Sequence, residues 1–135
     1  MEALIKTVAI LEENNRFLIG QSNDEGFWEL PGGWLSDGED SEAGLIRNIK
    51  EKLGFETTIL DIFKVVSQVV DGKQVFILAY LCVRHLGEPE ATKYNDFKWL
   101  NIEELRSGKF VFSEDDKKII NKISIFSGCG PALIS

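Results

Sequence analysis

The sequence predicts an α/β fold, in the α+β sense of a mixed β-sheet sandwiched by helices. Three observations predict it. Extended apolar segments come before, between and after helical ones, which suits layers of helix on sheet. A long hairpin is centred on Asp71-Gly72, the strongest short turn signal in the chain. A glycine-rich loop runs straight into an amphipathic helix near residue 42.

The elements follow in order. Residues 4–11 are β-rich and apolar, Glu13, Asn14 and Asn15 turn the chain, and RFLIGQ from Arg16 completes a hairpin. After a polar loop, FWEL is a short extended piece that stops at Pro31. PGGWLSDGED, residues 31–40, reads as loop by composition. Ser41 is the expected N-cap, with Glu42 favourable in the first turn. Leu45, Ile46, Ile49 and Leu53 form one apolar stripe, and Gly54 stands at the C′ position, so the helix is expected over residues 42–53. Gly44 inside it costs ~1 kcal/mol against alanine. TTILDIFKVVSQVV and KQVFILAYLCVRH flank the Asp71-Gly72 turn. A polar loop then leads to the strand FKWL and the helical turn IEEL. Ser113 caps a last helix that turns Ile119, Ile120, Ile123 and Phe126 inward, and the tail beyond it is not expected to be regular.

At 135 residues and 44% hydrophobic, the chain can bury one core and reads as one domain over residues 1–135. No linker or repeat divides it. The net charge of −7 argues against a nucleic-acid polymer or an anionic membrane as partner. The longest apolar run, residues 75–83, is far short of the ~20 residues a membrane helix needs. Cys82 and Cys129 have no metal-ligand spacing and read as reduced thiols of a cytoplasmic protein. No signal peptide is expected at the start.

The chemistry concentrates in residues 30–55, LPGGWLSDGEDSEAGLIRNIKEKLGF. A glycine pair lets backbone approach a ligand, and Asp37, Glu39, Asp40 and Glu42 behind it are hard oxygen donors of the kind magnesium takes together with phosphates. Arg47 and Glu51 share a helical face, as do Asn48 and Lys52. Taken alone, that pattern fits a solvated face with a surface ion pair better than a site.

The spacing resembles the signature box of the Nudix hydrolases, the MutT-like family: Gly, five residues, Glu, seven residues, then Arg-Glu-apolar-any-Glu-Glu-any-Gly-apolar. Gly33, Glu39, Arg47, Ile49, Glu51, Gly54 and Phe55 match seven of the nine fixed positions. Trp28-Glu29-Leu30-Pro31-Gly32 resembles the usual lead-in. Asn48 and Lys52 stand where the box has glutamates, so the box is degenerate.

The resemblance implies a Nudix αβα sandwich and a pyrophosphohydrolase cleaving a nucleoside diphosphate linked to another group, such as a nucleoside triphosphate. It implies Mg²⁺, with Mn²⁺ as substitute, held by Glu51 and the Gly32 carbonyl, and it implies a homodimer. Arg47 would hold the helical acids. An acid from a later loop serves several family members as base, and Asp96 lies at that place; its bland alternative is loop capping. Glu103 and Glu104 look like ordinary first-turn acids, and His85 is given no role. Gly32, Gly33, Trp34 and Lys52 are the expected substrate contacts, Trp34 by stacking on a base.

The two departures have physical consequences. Asparagine cannot take a proton near neutral pH. Lysine repels a divalent ion but can neutralise a phosphate oxygen. A catalytically impaired domain that binds a nucleotide or phosphorylated metabolite in a regulatory role is therefore the alternative. A diphosphate isomerase on the same fold is disfavoured, because the chain lacks the extra segments and a cysteine near the box.

Overall fold

Alternation along the central strands decides the layers. The computed structural model describes residues 3–22 and 26–127, and in the last helix side chains as far as Ile123. Strand β1 (Ala3–Glu13) sends Val8 and Ile10 to one face of the sheet and Ala9 and Leu11 to the other. Strand β2 (Arg16–Gln21) divides Phe17 and Ile19 from Leu18 in the same way. One face is covered by helix α1 (Ser41–Leu53) through Leu45, Ile49 and Leu53. The other is covered by α2 (Ile102–Arg106) and α3 (Glu114–Ser127) through Leu105, Ile119, Ile120 and Ile123. The result is helix, mixed sheet, helix, as the sequence predicts.

Between these, β3 (Trp28–Glu29), β4 (Gly32–Trp34), β5 (Glu56–Val70), β6 (Lys73–Leu86) and β7 (Asp96–Leu100) complete the sheet. The strand order is β3-β2-β1-β6-β5, with β4 paired to β1 and β7 to β2. β1 and β6 run parallel from Ala3↔Gln74 to Leu11↔Cys82, and the other pairings are antiparallel. Asp71 and Gly72 both take positive φ, 51° and 75°, which suits the tight turn expected between β5 and β6. No helix among the described residues is long and apolar enough to cross a membrane.

Three local expectations are corrected. Residues 32–34 are not loop: Gly32, Gly33 and Trp34 pair with Val8, Thr7 and Lys6. The N-cap of α1 is Asp40, whose Oδ2 accepts the Ala43 N–H at 3.0 Å, while the Ser41 hydroxyl is drawn away to the Tyr80 hydroxyl at 2.8 Å. His85 lies within β6 and does not follow it. Gly44 has a packing reason, because a Cβ there would sit 2.2 Å from Leu35 Cδ2. Ser113 caps α3 as expected, its Oγ accepting the Asp116 N–H at 3.1 Å. Cys82 is buried, which pushes its thiol up to about 12 and leaves it chemically quiet. The inward placing of Phe126 and the reading of Cys129 lie outside the described side chains.

Candidate functional site

Pairing with β1 is what carries the glycines to α1. The Ala9 N–H donates to the Pro31 carbonyl at 2.7 Å and the Leu35 N–H to the Ile5 carbonyl at 2.9 Å, so both ends of β4 are tied down. A Cβ on Gly32 would fall 2.0 Å from the Thr7 carbonyl oxygen, and one on Gly33 would fall 2.4 Å from Asn48 Oδ1. Only glycine allows the strand to run between β1 and the helix.

Arg47 organises the loop side. Its guanidinium donates to Glu39 through Nε at 2.7 Å and Nη2 at 2.9 Å, a two-point fork. Nη1 reaches both Glu51 oxygens at 3.3 Å. Glu39 also accepts the Ser36 N–H at 3.0 Å, closing the turn before the helix. The Arg47 hydrogen bonds, helped by the Ser36 amide, hold the Glu39 carboxyl down at about 2. Glu39 therefore braces the loop. Glu51 lies between two cations, since Lys93 Nζ is 3.6 Å from its Oε2.

Lys52 organises the strand side. Its Nζ donates to the Gly32 carbonyl at 2.5 Å, stands 3.9 Å from Glu29 Oε2 and lies 5.3 Å from the centre of the Tyr94 ring. Tyr94 closes the circuit: its hydroxyl donates to Glu29 Oε2 at 2.7 Å and accepts the Gly32 N–H at 3.2 Å. Burial pulls the Lys52 ammonium below its ordinary range and pushes the Tyr94 hydroxyl well above. Asn48 is buried, and its Nδ2 donates to the Gly44 carbonyl at 3.1 Å and the Trp34 carbonyl at 3.3 Å.

The structure thus brings together Gly32, Gly33, Arg47, Glu51 and Lys52 from the predicted set. Trp34 stands beside them with half its surface exposed, its ring 6.0 Å from Lys6 Nζ. Lys6 and Trp34 line a cleft of about 430 Å³ with Gln68, Lys73, Ser113 and Asp115. Asp96 starts β7 opposite Gln21, and its exposed Oδ1 accepts its neighbour's N–H, from Phe97, at 2.8 Å. From that stretch it is Lys93 and Tyr94 that reach the site, because the Thr92, Lys93 and Tyr94 amides converge on the Lys52 carbonyl at 3.1–3.4 Å.

Glu29, Lys6 and Lys93 are participants to which the sequence reading gives no role, while Tyr94, with Phe27, Trp28 and Trp99 an alternative to Trp34 for stacking on a base, enters instead through its hydroxyl. Glu29 had a signal, its position in the lead-in; Lys6 and Lys93 lie too far along the chain for any local pattern to join them. Beneath the lead-in, Asp116 Oδ2 accepts the Leu30 N–H at 3.2 Å, and burial raises its carboxyl to about 6.

A divalent ion does not fit this donor set as it stands. The Gly32 carbonyl, one expected ligand, is bonded to an ammonium, and Glu51, the other, is paired with two cations. No group of three or more His, Cys, Asp or Glu side chains among the described residues is placed to hold a metal.

Comparison with known proteins agrees with this fold and loop. The chain is 26% identical over 108 residues to a CTP pyrophosphohydrolase of Escherichia coli (strain K12), covering 77% of this chain and 80% of that protein. It is 30% identical over 76 residues to an 8-oxo-dGTP diphosphatase of Proteus vulgaris, covering 53% and 68%. Among solved structures, the E. coli ORF135 protein superposes with a TM-score of 0.86 at 23% identity, over 98% of this chain and 96% of that one. A NUDIX hydrolase from Nitrosomonas europaea gives 0.79 at 15% identity, over 92% and 90%. The family model of the NUDIX domain matches residues 4–123, and the chain belongs to that family.

Proposed function

We propose that this chain, acting in the cytoplasm as a single domain, hydrolyses a diphosphate bond in a nucleoside triphosphate or a related nucleoside diphosphate derivative. The observation that carries the reading is the intact brace from Glu39 through Arg47 to Glu51, set against a glycine strand. The names of its relatives, a CTP pyrophosphohydrolase and an 8-oxo-dGTP diphosphatase, support the same substrate class.

The base of the nucleotide stacks on the exposed face of Trp34 in the cleft beside Lys6. The phosphates then extend past Lys6 toward Lys52 and Lys93. Phosphoryl transfer needs little from a protein beyond positioning and charge stabilisation, and these ammonium groups supply both. The general base that the resemblance implies is Asp96, an exposed carboxylate at the start of β7, and loss of turnover in Asp96→Asn tests that role. Glu39 is locked on Arg47, Glu51 is held between Arg47 and Lys93, and Glu29 receives the Tyr94 hydroxyl. No step is assigned to an ion held by the protein, so dependence on magnesium or manganese is a result to be measured. The homodimer implied by the family belongs to this proposal too, and sedimentation tests it.

A second reading is a domain that binds such a ligand without turnover. It is favoured by Lys52 and Asn48, which donate to the carbonyls that face them. Release of phosphate or pyrophosphate from a panel of nucleoside triphosphates, nucleotide sugars and dinucleotides separates the two. Turnover that Glu51→Gln abolishes supports the hydrolase. No turnover with either ion, in a protein that binds the same compounds, supports the binder.

A further inference from the structure

We propose that the Lys52 ammonium is the resident cation of this site, and that it receives the ligand's phosphate directly without a divalent ion. The inference rests on the reading of the site as a phosphate site, and is independent of whether turnover follows.

The geometry around Lys52 is that of a cation held in place. Nζ donates to the Gly32 carbonyl, and that same residue's N–H reaches the Tyr94 hydroxyl, which donates to Glu29, which faces Nζ again. The ring of contacts sets the position of the charge through two strands, a helix and a loop. The Lys52 backbone carbonyl also collects the amides of residues 92–94, so the helix end cannot shift without moving the Tyr94 loop.

Asn48, one turn earlier, does the complementary work. The Trp34 and Gly44 carbonyls converge on one point. A carboxylate there would set its oxygens against those two carbonyl oxygens, acceptor against acceptor. The amide nitrogen donates to both. At each of the two positions an N–H donor stands against the oxygens that an ion would otherwise gather.

The ammonium is not exhausted by this. It has three protons, and one is spent on Gly32 at hydrogen-bond distance; Glu29, at 3.9 Å, is beyond it. About a fifth of the side chain remains exposed. Burial costs Lys52 solvation; Glu29 and Glu51 offset that cost while Lys6 and Lys93 add like charge, and together these leave the ammonium below its ordinary range. With protons left over and three ammonium groups gathered here, the group this place can take up is an anion and not a second cation.

The experiment uses inorganic pyrophosphate as probe. Calorimetric titration of the parent in EDTA is expected to show binding, reduced at least tenfold in Lys52→Met and largely kept in Lys52→Arg. Melting of the parent is expected to rise with pyrophosphate in EDTA and, in metal-depleted buffer without EDTA, to stay unchanged on adding magnesium or manganese alone. Pyrophosphate binding that requires an ion, or that survives intact in Lys52→Met, overturns the proposal. So does a melting temperature raised by the metal alone, a measurement that needs no variant to fold. Turnover is scored separately: pyrophosphate binding without hydrolysis of any nucleotide overturns only the hydrolase reading, and hydrolysis without metal-free binding overturns only this one.

Discussion

Arg47 and Lys52 stand little more than a turn apart on α1 and organise their surroundings by opposite means. Arg47 is one cation shared between two carboxylates, Glu39 by a tight fork and Glu51 more loosely. Lys52 is one cation facing a carbonyl, an aromatic ring and a single distant carboxylate. The Arg47 side keeps the acids that the family's box prescribes. The Lys52 side has exchanged them for N–H donors. The difference teaches that the box has two separable parts. One is a brace whose cation is a side chain. The other gathers oxygens that need a donor or a cation, and here an asparagine amide and a lysine ammonium stand against them from within.

The largest expected effect breaks the brace. Arg47→Ala leaves Glu39 and Glu51 without their shared partner and frees the turn that Glu39 closes on the Ser36 amide. Turnover of the preferred nucleotide is expected to fall by about a hundredfold or more, since misplacing positioned groups by an ångström costs that much. Steady-state kinetics should show the loss mainly in kcat, with binding of pyrophosphate kept because Lys52 is untouched. An equal loss of both would mean that the two sides are one unit.

The next prediction reverses the exchange. In the double variant Asn48→Glu, Lys52→Glu, a carboxylate replaces the amide that serves the Trp34 and Gly44 carbonyls, and another faces the Gly32 carbonyl beside Glu29. Buried carboxylates without partners are destabilising by about 2–4 kcal/mol. Denaturant melts in EDTA should show that loss, and magnesium or manganese should recover most of it. Stability that ignores the ion would break the comparison at its root.

Much of this contrast was legible in the sequence, and the part that was not has a physical reason. The brace could be read because Arg47 and Glu51 are one helical turn apart and Glu39 is at box spacing. The Asp71-Gly72 turn could be read because both residues tolerate positive φ. The sequence predicts loop at β4 because Gly-Gly-Trp has almost no strand preference of its own; pairing with Lys6, Thr7 and Val8 makes it a strand. The cap moved from Ser41 to Asp40 because both are good caps and only the distant Tyr80 decides between them. The circuit of Lys52, Gly32, Tyr94 and Glu29 joins residues up to 65 positions apart. No periodicity encodes such a contact. Lys52 was read as a cation able to meet phosphate, but its bond to the Gly32 carbonyl could be seen only in three dimensions.

Asp116 sharpens the comparison from beneath, as a buried acid with neither an arginine fork nor an ammonium at bonding distance. Burial raises it from the ordinary 3.8 to about 6, against the pull of Lys6 and the Leu30 amide. The folded state therefore holds the proton more tightly than the unfolded one. Stability should fall as pH rises from about 4 to 6 and level off above, by about 3 kcal/mol for a shift of this size. Asp116→Asn, which can still accept the Leu30 N–H through Oδ1, should remove that slope and melt higher than the parent at pH 7.

Glu39 gives the smallest effect and the opposite sign. Its carboxyl is lowered from 4.5 to about 2, first by the Arg47 hydrogen bonds and then by the Ser36 amide. The contribution it makes is fully present above about 4.5 and is lost as pH falls toward 2. Acid titration of Glu39→Gln against the parent should therefore converge at pH 2 and diverge at pH 5, with the parent more stable there. Because the pair is open to water, salt should narrow the gap. The same titration of Lys52→Met should show no segment of this kind, since its ammonium stays charged across the whole acid range. If both variants gave the same acid profile, the two sides of α1 would share one electrostatic origin, and the separation between a side-chain brace and a built-in cation would not hold.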